Sequence, residues 1–115
     1  MPYLAFHTNV ALDEGAAEDL SRRASATVAA ELGKPEGYVM VEVTPGANLR
    51  FGGSTEPAAY LELKSLGLPE ERTGDLSATL CDLAGDFGIP AERIYIEFAG
   101  PARHLWGFRR TTFAG

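Results

Sequence analysis

The composition predicts one globular domain and excludes two classes of partner. The chain has 115 residues, 45% of them hydrophobic, and its ten basic and sixteen acidic residues give a formal net charge of −6, which argues against nucleic acid as a partner. No apolar run approaches the length of a membrane span, and no basic region followed by an apolar one opens the chain, so we expect a cytoplasmic protein without a membrane partner.

Strand-like and helix-like segments alternate along the chain. "PYLAFHTNV" predicts a strand, and "AAEDLSRRASATVAAEL" predicts a helix that ends at Gly33 and cannot continue through Pro35. After the strand "YVMVEV", the order recurs: the strand "AAYLELKSL", the helix "TGDLSATLCDLAGDF" with Gly88 and Pro90 behind it, and the strand "IYIEF". The predicted helix faces that point inward consist of Ala17, Leu20, Ala24, Val28 and Leu32, and of Leu76, Leu80, Leu83 and Phe87.

This order is an internal repeat. "LGKPEGYVMVEV" at 32–43 and "FGIPAERIYIEF" at 87–98 align without gaps on an apolar residue, a glycine, a proline and a following strand. We therefore predict a single domain over 1–115, with pseudo-repeats at about 2–44 and 57–98. Two β-α-β units make an α+β fold, in which a four-stranded sheet has both helices on one face. "NLRF" and "WGFRRTTF" remain as short edge strands.

Strand alternation predicts an unusual open face of that sheet. Inward-facing residues of the second and last strands are valine, isoleucine and phenylalanine. The opposite face has Met40, Glu42, Tyr60, Glu62, Lys64, Tyr95 and Glu97. A surface that is both aromatic and charged indicates an interface, and a symmetric oligomer is the simplest way to bury it.

Most catalytic motifs are missing, which draws attention to the start "MPYLAF". The sequence has no P-loop, dinucleotide glycine motif, HExxH or CxxC, and with His7, His104 and Cys81 alone we predict no metal site and no cofactor. If Met1 is removed, Pro2 becomes a free secondary amine, which a desolvated pocket with a nearby cation can keep neutral and able to accept a proton. The alternative is that Pro2 only begins a strand.

Several stretches in a fixed order resemble one family over the full length. They are "MP", "GKPEGYVMVEV", "FGGSTEP", "ELKSLG", "GIPAERIYIEF", "WGF" and "TTFA". By these the chain resembles the tautomerase superfamily, and within it the macrophage migration inhibitory factor (MIF) group. The resemblance implies a homotrimer of β-α-β repeat subunits and keto–enol tautomerase activity on phenylpyruvate-like 2-oxo acids.

The resemblance also implies roles for individual residues near the N-terminus. Pro2 is the base that moves a proton between carbon and the enol oxygen, and Lys34 holds the substrate carboxylate and helps to keep the amine neutral. In the internal repeat, Lys34 stands where the second copy has Ile89. Ser65 and the backbone of Leu66 offer further donors to the substrate. The alternative for Lys34 is a solvated cation at the end of a helix.

Aromatic residues complete the implied site. Tyr95 comes from the adjacent subunit and lines the aromatic end of the pocket, Tyr38 and Phe108 flank the substrate ring, and Trp106 forms the rim. Each of these side chains also fits a simple packing role.

Two positions depart from the family pattern. Phe108 stands where many members have tryptophan. Glu97 stands where the best-known members have asparagine, and a carboxylate near the pocket favours a protonated amine and repels an anionic substrate, unless Arg103 or Arg109 neutralises it. We therefore expect weaker phenylpyruvate turnover than in a member with a neutral residue there.

Two alternatives to a phenylpyruvate tautomerase remain open. One is a signalling or binding protein that retains the fold without needing catalysis, acts through an unidentified receptor, and leaves cells without a signal peptide. The other is a related hydratase or dehalogenase acting on small unsaturated acids, for which Glu97 and the arginines at 103, 109 and 110 are candidates.

Overall fold

The computed structural model describes every residue from Met1 to Gly115. The two helices are α1 (Glu14–Leu32) and α2 (Thr73–Gly85). The strands are β1 (Pro2–Thr8), β2 (Met40–Thr44), β3 (Ala59–Ser65), β4 (Ile94–Ala99), β5 (Gly107–Phe108) and β6 (Thr111–Thr112). Neither helix combines the length and the apolar character needed to cross a bilayer.

Four strands form one mixed sheet in the order β2-β1-β3-β4. β1 pairs in parallel with β2 and antiparallel with β3, and β3 pairs in parallel with β4. Each parallel pair is joined through a helix, as a connection between parallel strands requires. The predicted α+β class, with two β-α-β units and a four-stranded mixed sheet, is confirmed.

Both helices pack on the same face of the sheet. The inward side chains of β1 and β3, among them Leu4, Phe6 and Leu61, are fully buried. The helices cover them with Leu20, Ala24, Val28, Leu76, Leu80, Leu83 and Ala84, so the faces predicted from helical periodicity are the ones that form the core. The face with Met40 and Tyr95 stays open in a single chain, and both side chains are exposed by about two thirds.

The helix ends show local sequence rules at work. The Asp13 carboxylate accepts a hydrogen bond of 2.8 Å from the Ala16 N–H and caps α1, while Gly33 adopts the left-handed conformation (φ 62°) that ends the helix. The second helix ends earlier than its counterpart, at Gly85, because the next residues continue in a tighter turn that closes at Gly88.

The segments expected as edge strands lie outside the four-stranded sheet of a single chain. "WGFRRTTF" forms a hairpin of β5 and β6, and "NLRF" contributes one isolated bridge between Phe51 and Ser54. That second segment belongs to the long connection from β2 to β3, whose backbone is held by side chains instead of by a ladder.

Two side chains clamp this connection, Asn9 with four hydrogen bonds to it and Arg93. The Nε of Arg93 donates to the carbonyl of Pro57 at 2.9 Å, and its Nη2 lies within 3.2 Å of the carbonyls of Phe51, Ser54 and Glu56. The guanidinium also lies over the Phe51 ring, 5.2 Å from the centroid. One cation therefore donates to four carbonyl groups of this connection, two of which, those of Phe51 and Ser54, also accept across the bridge.

Replacing Arg93 by alanine should lower the free energy of unfolding by roughly 1–3 kcal/mol, because several charge-assisted hydrogen bonds are lost at once. Urea unfolding followed by circular dichroism measures the loss. Arg50→Ala is the matched control, since Arg50 makes a single hydrogen bond to the same segment, at Gly53. Equal effects of the two variants would contradict the clamp.

Candidate active site

Four segments of the chain meet at one end of the sheet. β1 begins there at Pro2, directly opposite Ser65, the last residue of β3. β2 also begins there, since Met40 pairs with Tyr3, and β4 ends there, since Ala99 pairs with Lys64. The topology therefore gathers the N-terminus, the loop before β2, the loop after β3 and the segment after β4.

Pro2 is fully buried at the first position of a central strand. A proline is acceptable there because the missing N–H is outside the ladder of the strand. Ser65 beside it is also fully buried, and its hydroxyl donates to the Leu66 carbonyl at 3.0 Å, so this donor is occupied within the chain. The structure places Ser65 directly beside Pro2, and Leu66 lines the cavity at the same end of the sheet.

A small cavity of about 200 Å³ opens beside the N-terminus. Its lining residues are Met1, Lys34, Pro35, Tyr38, Leu66, Arg103 and Phe113. Lys34 follows the glycine that ends α1, and its Nζ lies near Gly67, 4.0 Å from where a Cβ of that residue would be. Gly67 has a φ of 63°, which a residue with a side chain rarely adopts, so the turn beside the lysine requires glycine.

An aromatic groove adjoins this cavity and shares Met1, Tyr38 and Phe113 with it. Tyr38 and Phe108 meet edge to face with ring centroids 6.0 Å apart, and Phe108 stacks on Phe113 at 5.2 Å. Pro2 and Trp106 also line the groove. Six of the predicted site residues thus line one of these two cavities: Pro2, Lys34, Leu66, Tyr38, Trp106 and Phe108.

Tyr95 and Glu97 do not line either cavity of their own chain. Because β4 runs toward the site and reaches it at Ala99, Tyr95 lies four residues earlier, on the order of 13 Å back along the strand. It is 66% exposed on the open face and packs on Phe51, with ring centroids 4.7 Å apart. Within a single chain, Tyr95 therefore lies away from Pro2 and the two cavities.

Glu97 belongs to an acidic row across the open face. Ala5 pairs with Glu42 on one side and with Glu62 on the other, and Glu62 pairs with Glu97. Glu62 lies 3.9 Å from Lys64 and accepts from Tyr60, whereas Glu97 takes part in none of the five ion pairs. Within one chain, Arg103 and Arg109 therefore do not neutralise Glu97.

The electrostatics at the N-terminus favour a neutral amine. Burial lowers the pKa of the Met1 α-amino group below its ordinary value, and the positive charges of Lys34 and Arg103 lower it further. All three effects penalise the protonated form.

Arg103 is the one charged residue of this cavity to which the sequence pattern assigns no binding role in the tautomerase. The pattern presents it only as a neighbour of Glu97 or as one of three candidate arginines of a hydratase, yet it is the single arginine that lines the cavity. Arg109 and Arg110 instead form the turn of the hairpin, with positive φ. A single cation after a strand in an acidic chain indicates an anion-binding site only weakly. The tertiary structure is what shows that Arg103 lines the same cavity as Lys34.

Comparison with known proteins identifies the family. The family model for macrophage migration inhibitory factor matches residues 1–114. Curated homologues of that factor from Trichuris trichiura and Brugia malayi are 37% and 36% identical; these matches cover 98% of this chain and 100% and 99% of the relatives. The crystal structure of the Prochlorococcus marinus homologue has a TM-score of 0.90 at 38% identity, and covers 96% of this chain and 98% of its own. The Trichinella spiralis structure gives 0.89 at 36% identity, with the same coverage. The resemblance found in the sequence is confirmed: the chain belongs to the macrophage migration inhibitory factor family of the tautomerase superfamily.

Proposed function

We propose that the chain, once Met1 is removed, is a keto–enol tautomerase that acts on phenylpyruvate-like 2-oxo acids with the Pro2 nitrogen as base. The observation that supports this most directly is the position of Pro2. It begins a central strand, is fully buried, and lies beside a cavity with two cations and a groove of aromatic rings. While Met1 is attached, the Pro2 nitrogen is an amide and has no basicity.

In the proposed reaction, the Lys34 ammonium binds the substrate carboxylate. The Pro2 nitrogen accepts a proton from the carbon next to the 2-oxo group, and the resulting ammonium donates a proton to the enolate oxygen. The net change is the movement of one proton from carbon to oxygen, so no cofactor is required. The ring of the substrate lies in the groove between Tyr38 and Phe108, with Trp106 at its rim.

We propose further that the active form is a homotrimer. Tyr95, Met40 and Leu105 are each exposed by about two thirds on a single chain. Large apolar side chains this exposed are typical of an interface rather than of a monomer surface. Placing the open sheet face of one subunit against its neighbour covers these side chains. The neighbour's Tyr95 would then close the aromatic end of each groove.

Substituting Pro2 by alanine should lower kcat/KM for phenylpyruvate tautomerisation by roughly 10²–10⁴-fold, the usual contribution of a positioned general base. The assay follows the enol by ultraviolet absorbance after mass spectrometry has confirmed the loss of Met1. A chain with one alanine inserted before Pro2 is the matched control, because it retains the proline ring but turns its nitrogen into an amide. Full activity in either protein would refute the mechanism.

The rate should rise with pH through the pKa of the Pro2 amine, since only the neutral amine accepts a proton. Burial and the charges of Lys34 and Arg103 lower the pKa of an amine at this end of the chain, so the rise should be complete below the range of an ordinary amine. Lys34→Gln should shift the rise in kcat/KM to higher pH and also raise KM. An unshifted profile in Lys34→Gln would show that Lys34 does not act on the amine.

Replacing Glu97 by asparagine should increase phenylpyruvate turnover, because removing an unpaired carboxylate from the subunit interface weakens the stabilisation of a protonated amine. Glu92→Asn makes the same change of charge on an exposed turn before β4 and serves as the control. Steady-state kinetics at neutral pH compares the two variants. A slower Glu97→Asn enzyme would be evidence against this role.

A further inference from the structure

Two cations face the cavity beside the N-terminus, and neither has a carboxylate partner. Lys34 and Arg103 both line it, and neither takes part in the ion pairs of the chain, which use Arg22, Arg23, Lys64 and Arg72. Six of the ten cations of the chain form no ion pair. What distinguishes Lys34 and Arg103 is that both line the one cavity beside the N-terminus.

Arg103 is also oriented by its backbone surroundings. It begins the short turn Arg103–Leu105 that follows β4, and its Nε donates to the Phe113 carbonyl at 2.9 Å. Phe113 is fixed in turn, because its N–H donates to the Trp106 carbonyl at 3.1 Å. The bond from Nε holds the plane of the guanidinium and leaves its two terminal nitrogens without protein acceptors, in the fork geometry that suits a carboxylate.

A single carboxylate needs only one of these cations. Lys34 is sufficient for the carboxylate of a 2-oxo acid, and the Arg103 guanidinium, which also lines the cavity, then has no anionic partner there. A substrate with a second carboxylate would match both charges. The cavity of about 200 Å³ is also small, and the large aromatic groove lies beside it, not within it.

We propose that Arg103 is a second substrate-binding residue and that it extends the specificity of the site to small 2-oxo acids with two carboxylates. This inference rests on the proposed tautomerase function. Lys34 holds the carboxylate next to the 2-oxo group, and Arg103 holds the distal one. The carbon between the 2-oxo group and the distal carboxylate loses its proton to the Pro2 nitrogen, and the enolate oxygen is protonated. One C–H bond is exchanged for one O–H bond without any oxidation or reduction.

Oxaloacetate and phenylpyruvate, as dianionic and monoanionic probes, test this specificity. Arg103→Gln should raise the KM for oxaloacetate about tenfold or more, because a charge-assisted pair of hydrogen bonds is lost. The KM for phenylpyruvate should change much less. Arg103→Lys should restore oxaloacetate binding only in part, since an ammonium retains the charge without the fork. Arg22→Gln is the control for net charge, on the exposed side of α1 and outside both cavities.

Calorimetry with two inert anions separates this inference from the proposed function. Maleate, a dianion, should bind the wild type more tightly than benzoate, and Arg103→Gln should abolish that preference. Equal changes of KM for both substrates in Arg103→Gln, or undiminished maleate binding, would overturn the role of Arg103. If neither substrate is turned over by the correctly trimmed protein while maleate binding still depends on Arg103, the tautomerase proposal fails and the dianion site stands.

Discussion

The position of β1 between a parallel and an antiparallel neighbour is the constraint on which the rest of this structure depends. A parallel partner must begin at the same end of the sheet as β1, and an antiparallel partner must end there. Consequently the loop with Lys34, which precedes β2, and the loop with Leu66, which follows β3, both lie at the start of β1. β4 is parallel to β3, so it delivers Arg103 and the aromatic hairpin to the same place.

The same constraint explains why one chain holds only part of the predicted site. Residues that follow β4 reach Pro2, whereas Tyr95, near the start of β4, is directed toward the opposite end of the sheet. Its exposed ring and the neighbouring apolar residues leave a face that a single chain does not cover. The proposed trimer accounts for both the distant Tyr95 and the uncovered face, since a second subunit can bring its own β4 against the first subunit's groove.

Charge is distributed unevenly over this acidic chain. The open face of the sheet has the row of Glu42, Glu62 and Glu97, and burial together with the neighbouring Glu42 raises the pKa of the Tyr3 hydroxyl there. The cavity beside the N-terminus has the opposite character, with Lys34 and Arg103 free of carboxylates. In the proposed function, these two positive charges attract the anionic substrate to the end of the chain where the amine is neutral.

Much of the fold was accessible from the sequence because it follows local rules. Helical periodicity named the buried faces of both helices, and Gly33 marked the end of α1, since a left-handed residue stops a helix whatever surrounds it. The second helix was placed less well: it ends at Gly85, where a tighter turn takes over before Gly88. Such endings depend on competing hydrogen bonds that a sequence pattern does not rank.

For the site, the sequence determined which residue types were available, and the tertiary structure decided which of them meet. The order of motifs fixed the family, and with it the implied roles of Pro2 and Lys34. Only the register of the strands shows that Arg103 joins Lys34 at the cavity while Glu97 stays on the open face, because residues far apart in sequence become neighbours through pairing alone. The burial of Pro2, and with it the environment of its nitrogen, is likewise a property of the packed sheet, since desolvation requires the surrounding strands to be in place.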